Sequence, residues 1–361
     1  MIDPDDAKRA VADKSAPSPK PSRDVFILGA GFSKAIATQM PTMVELGEQV
    51  RERLSGEVDL ASAIPASLGD NIELWMTFLS QPQPWLREPD IDLHRSLGGR
   101  IRQSIAEVIE KHTASAATAT APDWLSQLIL TWHQRQAVVV TLNYDTLVEK
   151  TARDLQVAEK KSALHPSDIY PPYFTNIASR SGAGLWGSEY PASFRLLKLH
   201  GSVNWHYSGR EDFHGETIFF SDVPEFGPPD DVAARDAATR RLRDMAADKE
   251  TLLIPPVAEK TTYFNNETVR ALWKDAANAL QHAAECYIIG YSLPISDLGM
   301  RFFLAGNTPD ADTPVNVVDI EMSVLDRYRE FLRRPDIGSA YVGLDNPVVR
   351  FARDYADTLP K

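Results

Sequence analysis

The stretch Asp24-Val-Phe-Ile-Leu-Gly29-Ala-Gly31-Phe-Ser33-Lys34 decides how the chain is read. Val25 to Leu28 are too few and too uniformly apolar for a helix, a pattern that suits a strand buried on both faces of a parallel sheet. The run stops at Gly29 and Gly31, where missing side chains let the backbone approach a ligand closely. A helix follows, and its first N–H groups are expected to point at an anion such as a dinucleotide pyrophosphate. The dinucleotide fingerprint asks for a third glycine where Lys34 stands, so the turn departs from ordinary nicotinamide and flavin dehydrogenases.

Working outward, the same strand-then-polar-turn pattern returns four times. Ala137–Leu142 ends in Asn143-Tyr144-Asp145, and Arg195–Leu199 ends in His200-Gly201-Ser202. Cys286–Ile289 ends in Gly290-Tyr291-Ser292-Leu293-Pro294, and Val315 to Asp319 ends in its own carboxylate, placed to hold a ribose hydroxyl. Polar residues at the carboxyl ends of such strands sit where open α/β sheets bind ligands. A histidine there, beside a glycine, reads as functional. Asp145 has a second reading, as the cap of a helix beginning near Thr146.

The intervening segments divide the chain. Residues 1–22 are Pro, Ser, Lys, Asp and Ala with little to bury, a tail expected to be disordered. Residues 23–54 and 137–361 are expected to form one α/β domain, a Rossmann-like parallel sheet flanked by helices. Residues 55–136 read as a helical insertion from the periodicity of Ile72–Leu79, Leu93–His112 and Trp124–Gln136. Within it, Thr113–Pro122 reads as a low-complexity connector. Thr42 and Glu45 form a capping-box pattern for a helix after Pro41. About 155–194 is loop-rich. Residues 206–250 read as a Pro/Gly/Asp-rich loop entering a charged helix, where His206 and His214 show no metal-ligand spacing. Helix 267–284 precedes the fourth strand, and 323–361 offers a helix, a short strand and a final helix.

Composition narrows the function classes. One cysteine in 361 residues excludes a disulfide framework and a four-thiolate zinc site, and favours a reducing compartment. No apolar run reaches membrane length and no signal-peptide pattern opens the chain, so a cytoplasmic protein without membrane contact is expected. A formal charge of -12 repels a phosphate backbone. The best basic cluster, Arg240, Arg241 and Arg243, lies among aspartates and reads as a solvated helix, so direct nucleic-acid binding is not expected.

Gly-Ala-Gly-Phe-Ser at 29–33, Met-Pro-Thr at 40–42, Asn-Tyr-Asp at 143–145, Leu-His-Gly at 199–201 and Gly-Tyr-Ser-Leu at 290–293 together resemble the sirtuin fold, in this order. More narrowly they resemble bacterial sirtuin-like NAD hydrolases of antiphage defence. The resemblance spans Val25 to about Asp319. It implies that Gly29, Ala30, Gly31, Phe32 and Ser33 meet the pyrophosphate and ribose of NAD, that Asn143 positions the nicotinamide ribose and a water, and that Asp145 holds the carboxamide. It further implies that His200 is the catalytic base and that Gly290 and Ser292, with Asp319, meet the adenosine half. NAD would be the substrate. The deacylases carry two Cys-x-x-Cys pairs for a structural zinc. Only Cys286 is present here, so no zinc or other metal is expected. An acidic then Phe-Arg pattern after the proline is replaced by Thr42, Met43 and Val44. Both departures count against deacylation and leave NAD cleavage intact. The remaining alternatives are ADP-ribosyl transfer or deacylation, and a non-catalytic NAD or ADP-ribose sensor. The resemblance also implies restraint of activity by a homo-oligomer or a separately encoded partner.

Overall fold

A computed structural model describes residues 23–56, 60–81, 83–157, 162–164, 166–176, 193–208, 216–221, 244, 246–255 and 261–358. The expected tail 1–22, the arginine cluster at 240–243, His214 and most of the loop-rich stretch lie outside the described residues.

Twelve strands occur among them: β1 (Arg23–Leu28), β2 (Val138–Thr141), the short β3 (Gln156–Val157), β4 (Ser162–Ala163) and β5 (Thr175–Asn176), then β6 (Arg195–Lys198), β7 (Gly201–Tyr207), β8 (Phe219–Phe220), β9 (Glu250–Leu253), β10 (Ala283–Ile289), β11 (Val315–Asp319) and β12 (Gly338–Val342). Six of these form one sheet in the order β12-β11-β10-β1-β2-β6, and every neighbouring pair is parallel. From β1 the chain steps outward to β2 and β6, then returns to β10 beside β1 and steps outward the other way. That is the doubly wound order with its switch point between β1 and β10, where ligands of open α/β sheets bind. In register, Leu28 pairs with Ile289 on one side and Thr141 on the other, so the turns after β1, β2 and β10 leave the sheet at one level.

The residues explain the sheet. Val25, Phe26, Ile27 and Leu28 are at most 1% exposed, as expected of a central strand covered on both faces. Phe26 packs with Trp132, Tyr287, Phe351 and Tyr355 at centroid distances of 5.1–6.3 Å. The last helix, Pro347–Ala356, is thereby fastened under the first strand. Arg135 Nη1 and Tyr355 Oη both donate to Asp24 Oδ2, at 3.0 and 2.5 Å.

Helices Met43–Leu54, Ile72–Ser80 and Glu88–Ala117 share a second apolar cluster, from Leu46 through Trp75 to Ile109, joined to the sheet side by Tyr144, Val203 and Leu253. Trp124 to Trp132 of helix Asp123–Arg135 instead enters the core of the sheet. The stretch expected as a connector is helical as far as Ala117, because alanine is the best helix former and five of these residues extend an existing helix without nucleating a new one.

A second, smaller sheet in the order β5-β8-β7-β9 was not anticipated. β7 begins directly after His200, so the polar turn ending β6 is also the entry to an antiparallel ladder in which Gly201 pairs with Leu253. No helix is long and apolar enough to cross a membrane among the described residues.

Candidate active site

The turns after β1, β2, β6 and β10 enclose a cavity of about 750 Å³, within the 300–1,000 Å³ usual for small-molecule sites. Gly29, Ala30, Gly31, Asn143, His200, Gly290, Ser292 and Asp319 all line it. Its outer walls come from Thr42 to Val44, from Asn71 and Glu73 of the helical layer, and from Asn346 to Val349 at the start of the last helix.

Glycine at the switch point serves close packing. A β-carbon on Gly29 would lie 2.5 Å from the Gly290 carbonyl oxygen, and one on Gly31 would lie 2.8 Å from the Gly290 α-carbon. The two turns are stitched together: Gly29 N–H donates to Ile289 O and Gly31 N–H to Gly290 O, both at 2.9 Å, and Phe32 N–H returns to Gly29 O at 3.0 Å. This corrects the expectation that the helix-start N–H groups await an anion. Helix Ala30–Ile36 is seven residues long, and two of its early donors are consumed by the turn itself.

Phe32 is buried in the core against Trp124 and Trp132, and neither it nor Ser33 nor Asp145 lines the cavity. Ser33 Oγ donates to Asp145 Oδ2 at 2.6 Å and accepts from Asn143 Nδ2 at 2.8 Å, while the same Nδ2 donates to Gly29 O at 2.9 Å. Asp145 Oδ1 accepts from Leu147 N–H at 3.1 Å, which makes Asp145 the turn-former that starts helix Leu147–Asp154. With both amide hydrogens of Asn143 engaged, its Oδ1 is the group left to meet a ligand or water.

Behind this wall lies a buried ion pair. Lys198, 1% exposed, donates to Glu149 Oε1 at 2.9 Å and to the Asp145 carbonyl oxygen. Tyr170 Oη donates to the same Glu149 oxygen at 2.6 Å.

His200 is buried, with Nε2 at 3.9 Å from Asp297 Oδ2 and its ring between Tyr144 and Trp273. Sequence reading passed over Asp297, which lines the cavity, caps helix Leu298–Asn307 through Met300 N–H at 3.2 Å and accepts from Tyr291 Oη at 2.9 Å. The available signal was an acidic residue immediately before an apolar helix. Glu73, also missed, reaches the cavity from the helical layer and accepts from Ser296 Oγ.

Among the described residues the lining carries four carboxylates, Glu73, Asp297, Asp319 and Glu321, against one ammonium, Lys34. Lys34 is itself engaged by Glu45 at 2.5 Å, and that contact with the Thr42 cap pulls the Glu45 carboxyl down to about 2. Burial pushes Asp319 above the ordinary carboxylate range. Burial, followed by nearby carboxylates, pushes Tyr144 and Tyr291 well above the ordinary phenol range, so both remain protonated donors. Such a lining favours positive charge in the bound molecule. Among the described residues no group of three or more His, Cys, Asp or Glu could hold a metal ion.

No protein-family model matches the chain, and no curated protein does. Solved structures do: a Sir2 protein bound to acetylated peptide, at 14% identity and a TM-score of 0.39; a Sir2–p53 peptide–NAD+ complex, at 15% and 0.38; and a Sir2 enzyme at 11% and 0.40. The first two matches cover 93% of each chain and the third 94%. At these scores they are similarities only, and the reading of the site rests on the strand order and the residues of the cavity.

Proposed function

We propose that the chain is an NAD glycohydrolase that cleaves NAD to nicotinamide and ADP-ribose, linear or cyclic. One observation carries this reading: Asn143 and His200, at the ends of adjacent strands, line one cavity with the glycine turn at the switch point of a doubly wound sheet. The fit of NAD rests on the cavity volume and on carboxylates in its lining suited to a pyridinium and to the ribosyl cation that forms as it leaves.

In the proposed reaction the bond between the ribose carbon and the pyridinium nitrogen breaks, and nicotinamide departs neutral with the electron pair. Water oxygen attacks the cationic carbon and its proton passes to the His200 imidazole, whose ordinary pKa lies near working pH. Asn143 Oδ1 orients that water, a positioning effect made rigid by the two bonds of Nδ2. Asp145 acts through Ser33 and the turn. Attack by a nucleophile of the adenosine half in place of water gives a cyclic product, the proton of a hydroxyl nucleophile passing to His200. Restraint by self-association or a second protein belongs to the same proposal, as does a role in antiphage defence; both follow from the motif resemblance.

The test is nicotinamide release from NAD by the full chain, alone and with candidate activators, with the product and any label on protein followed from radiolabelled NAD. His200→Ala is expected to lower the rate by roughly 10²–10⁴-fold, the usual worth of a positioned base, and Asn143→Ala to lower it with less effect on NAD affinity. Variants as active as wild type, or label retained on protein in place of free ADP-ribose, would overturn the assignment.

A further inference from the structure

We infer that Asp297 is the positioning residue of His200, forming with it a buried carboxylate–imidazole pair in the cavity wall; this rests on the reading of His200 as the base. Three observations converge. The two side chains are 5% and 1% exposed with Nε2 at 3.9 Å from Oδ2, which is within reach for strong charge coupling and just outside hydrogen-bond distance. The carboxylate is fixed from two directions, by Tyr291 Oη on Oδ2 and by Met300 N–H on Oδ1, so it approaches the imidazole from a rigid mount. And it lies on the loop 290–297, which also supplies Gly290, Tyr291 and Ser292 to the cavity.

A base oriented by a third group is the general form of such sites. Facing Nε2, the carboxylate favours the tautomer with hydrogen on Nε2 and leaves Nδ1 as the basic nitrogen. When water's proton arrives there, the imidazolium forms beside a negative charge already in place. Titratable groups by the pair include Tyr144, whose ring centroid is 6.4 Å from that of His200, and Tyr291, which donates to Asp297, with Glu73 and Tyr263 acting on Tyr144 through the same field. Both tyrosines stay neutral, and Glu73 adds to the negative potential without the fixed approach of Asp297.

The experiment compares wild type with Asp297→Asn, which keeps the size of the side chain, can cap Met300 through Oδ1 and can donate to the Tyr291 oxygen through Nδ2. Expected are a fall in kcat of at least about tenfold, with KM for NAD within about threefold, and a downward shift of the acidic limb of the pH–rate profile by about one unit. The sign follows because removing a neighbouring carboxylate destabilises the imidazolium. A limb that does not move, or a loss confined to KM, overturns the inference. A second readout is independent of turnover: the His200 ring proton titration followed by NMR in wild type and in Asp297→Asn. The same downward shift is expected, and its absence overturns the pair whether or not the protein cleaves NAD. If Asp297→Asn does not fold, Tyr291→Phe serves in both assays. It leaves the carboxylate in place with one donor fewer, so the expected shift is upward, and an unmoved titration refutes the pairing. Should wild type release no nicotinamide while the NMR shift is seen, the functional proposal fails and the pairing stands.

Discussion

Replacing Gly290 with alanine tests whether the two turns at the switch point are as tightly joined as the geometry indicates. Gly290 has φ of +62°, and a β-carbon there would meet Phe32 N at 2.5 Å and Gly31 C at 2.6 Å, both backbone atoms. Neither can retreat cheaply, because Gly31 N–H is bonded to Gly290 O and Gly290 N–H to Val318 O, each at 2.9 Å. The left-handed conformation costs an alanine roughly 1–2 kcal/mol. Forcing a methyl group into a packed site adds about 1–3 kcal/mol. Gly69 gives the comparison without the clash: its φ is +56° and its ψ −141°, a region nearly confined to glycine, yet a β-carbon there meets nothing within 4 Å. Gly69→Ala is therefore expected to lose only conformational strain, roughly 1–3 kcal/mol, and Gly290→Ala about 2–5 kcal/mol, a substantial part of a net stability near 5–15 kcal/mol. Urea midpoints of the two variants, compared at equal slope, measure the difference. The reasoning is refuted if Gly290→Ala is no less stable than Gly69→Ala.

Three further outcomes follow. Lys198→Met strands Glu149 as an unpaired buried charge and is expected to cost about 3–5 kcal/mol by denaturant unfolding, with Lys198→Met/Glu149→Leu recovering much of it; a double variant as unstable as the single would place the energy elsewhere. Asp319 is held above its ordinary carboxylate range by burial, so its contribution to stability is present below the unfolded-state pKa and is lost as pH rises through the folded one. Asp319→Asn, which still accepts the Glu321 N–H, is thus expected to raise the melting temperature at pH 7 and to lose that advantage towards pH 4; an advantage that grows on acidification would reverse the sign. Cys286 is buried with its thiol pushed up to about 12, so a thiol reagent at pH 8 is expected to label the native protein far more slowly than the urea-unfolded one, and equal rates would contradict its burial.

The centre of the sheet was legible because β1 and β2 carry short, continuous apolar runs that end where polarity changes abruptly. Val25–Leu28 and Val138–Thr141 need no partner to be recognised. The second sheet carried a signal that was available and passed over: Val203, Trp205 and Tyr207 alternate with Ser202, Asn204 and His206, the period of a strand with two unlike faces. A histidine at the preceding turn drew the reading towards the end of β6 and away from the start of β7. The reach of the Ala-rich stretch to Ala117 was lost for the opposite reason, since low complexity was taken for a linker although alanine favours continuing a helix. Glu73 was illegible in principle. Glu73 meets Ser296 across 223 positions of sequence, and no local period encodes a contact between a helix of the second cluster and a loop of the sheet.

That long-range contact bears on how such a site could be controlled. The cavity is closed on one side by the sheet, whose turns are fixed by backbone bonds, and on another by helices of a separate apolar cluster. Across the gap, bonds into the cavity wall from the helical side include Ser296 on Glu73 and the Lys34–Glu45 pair, whose side chains are 35% and 43% exposed. An exposed pair of this kind contributes at most about 1 kcal/mol. The turns that carry Asn143 and His200 are fixed by backbone bonds, while the helical layer meets the cavity wall through the apolar packing of Tyr144 and the contact of Ser296 with buried Glu73. A ligand or partner that prefers one spacing of the two halves needs only a modest difference in affinity to shift the population between them. Control of the proposed activity is then expected to act on the spacing between helix Ile72–Ser80 and the loop 290–297, with the positions of the amide and imidazole on the sheet left unchanged.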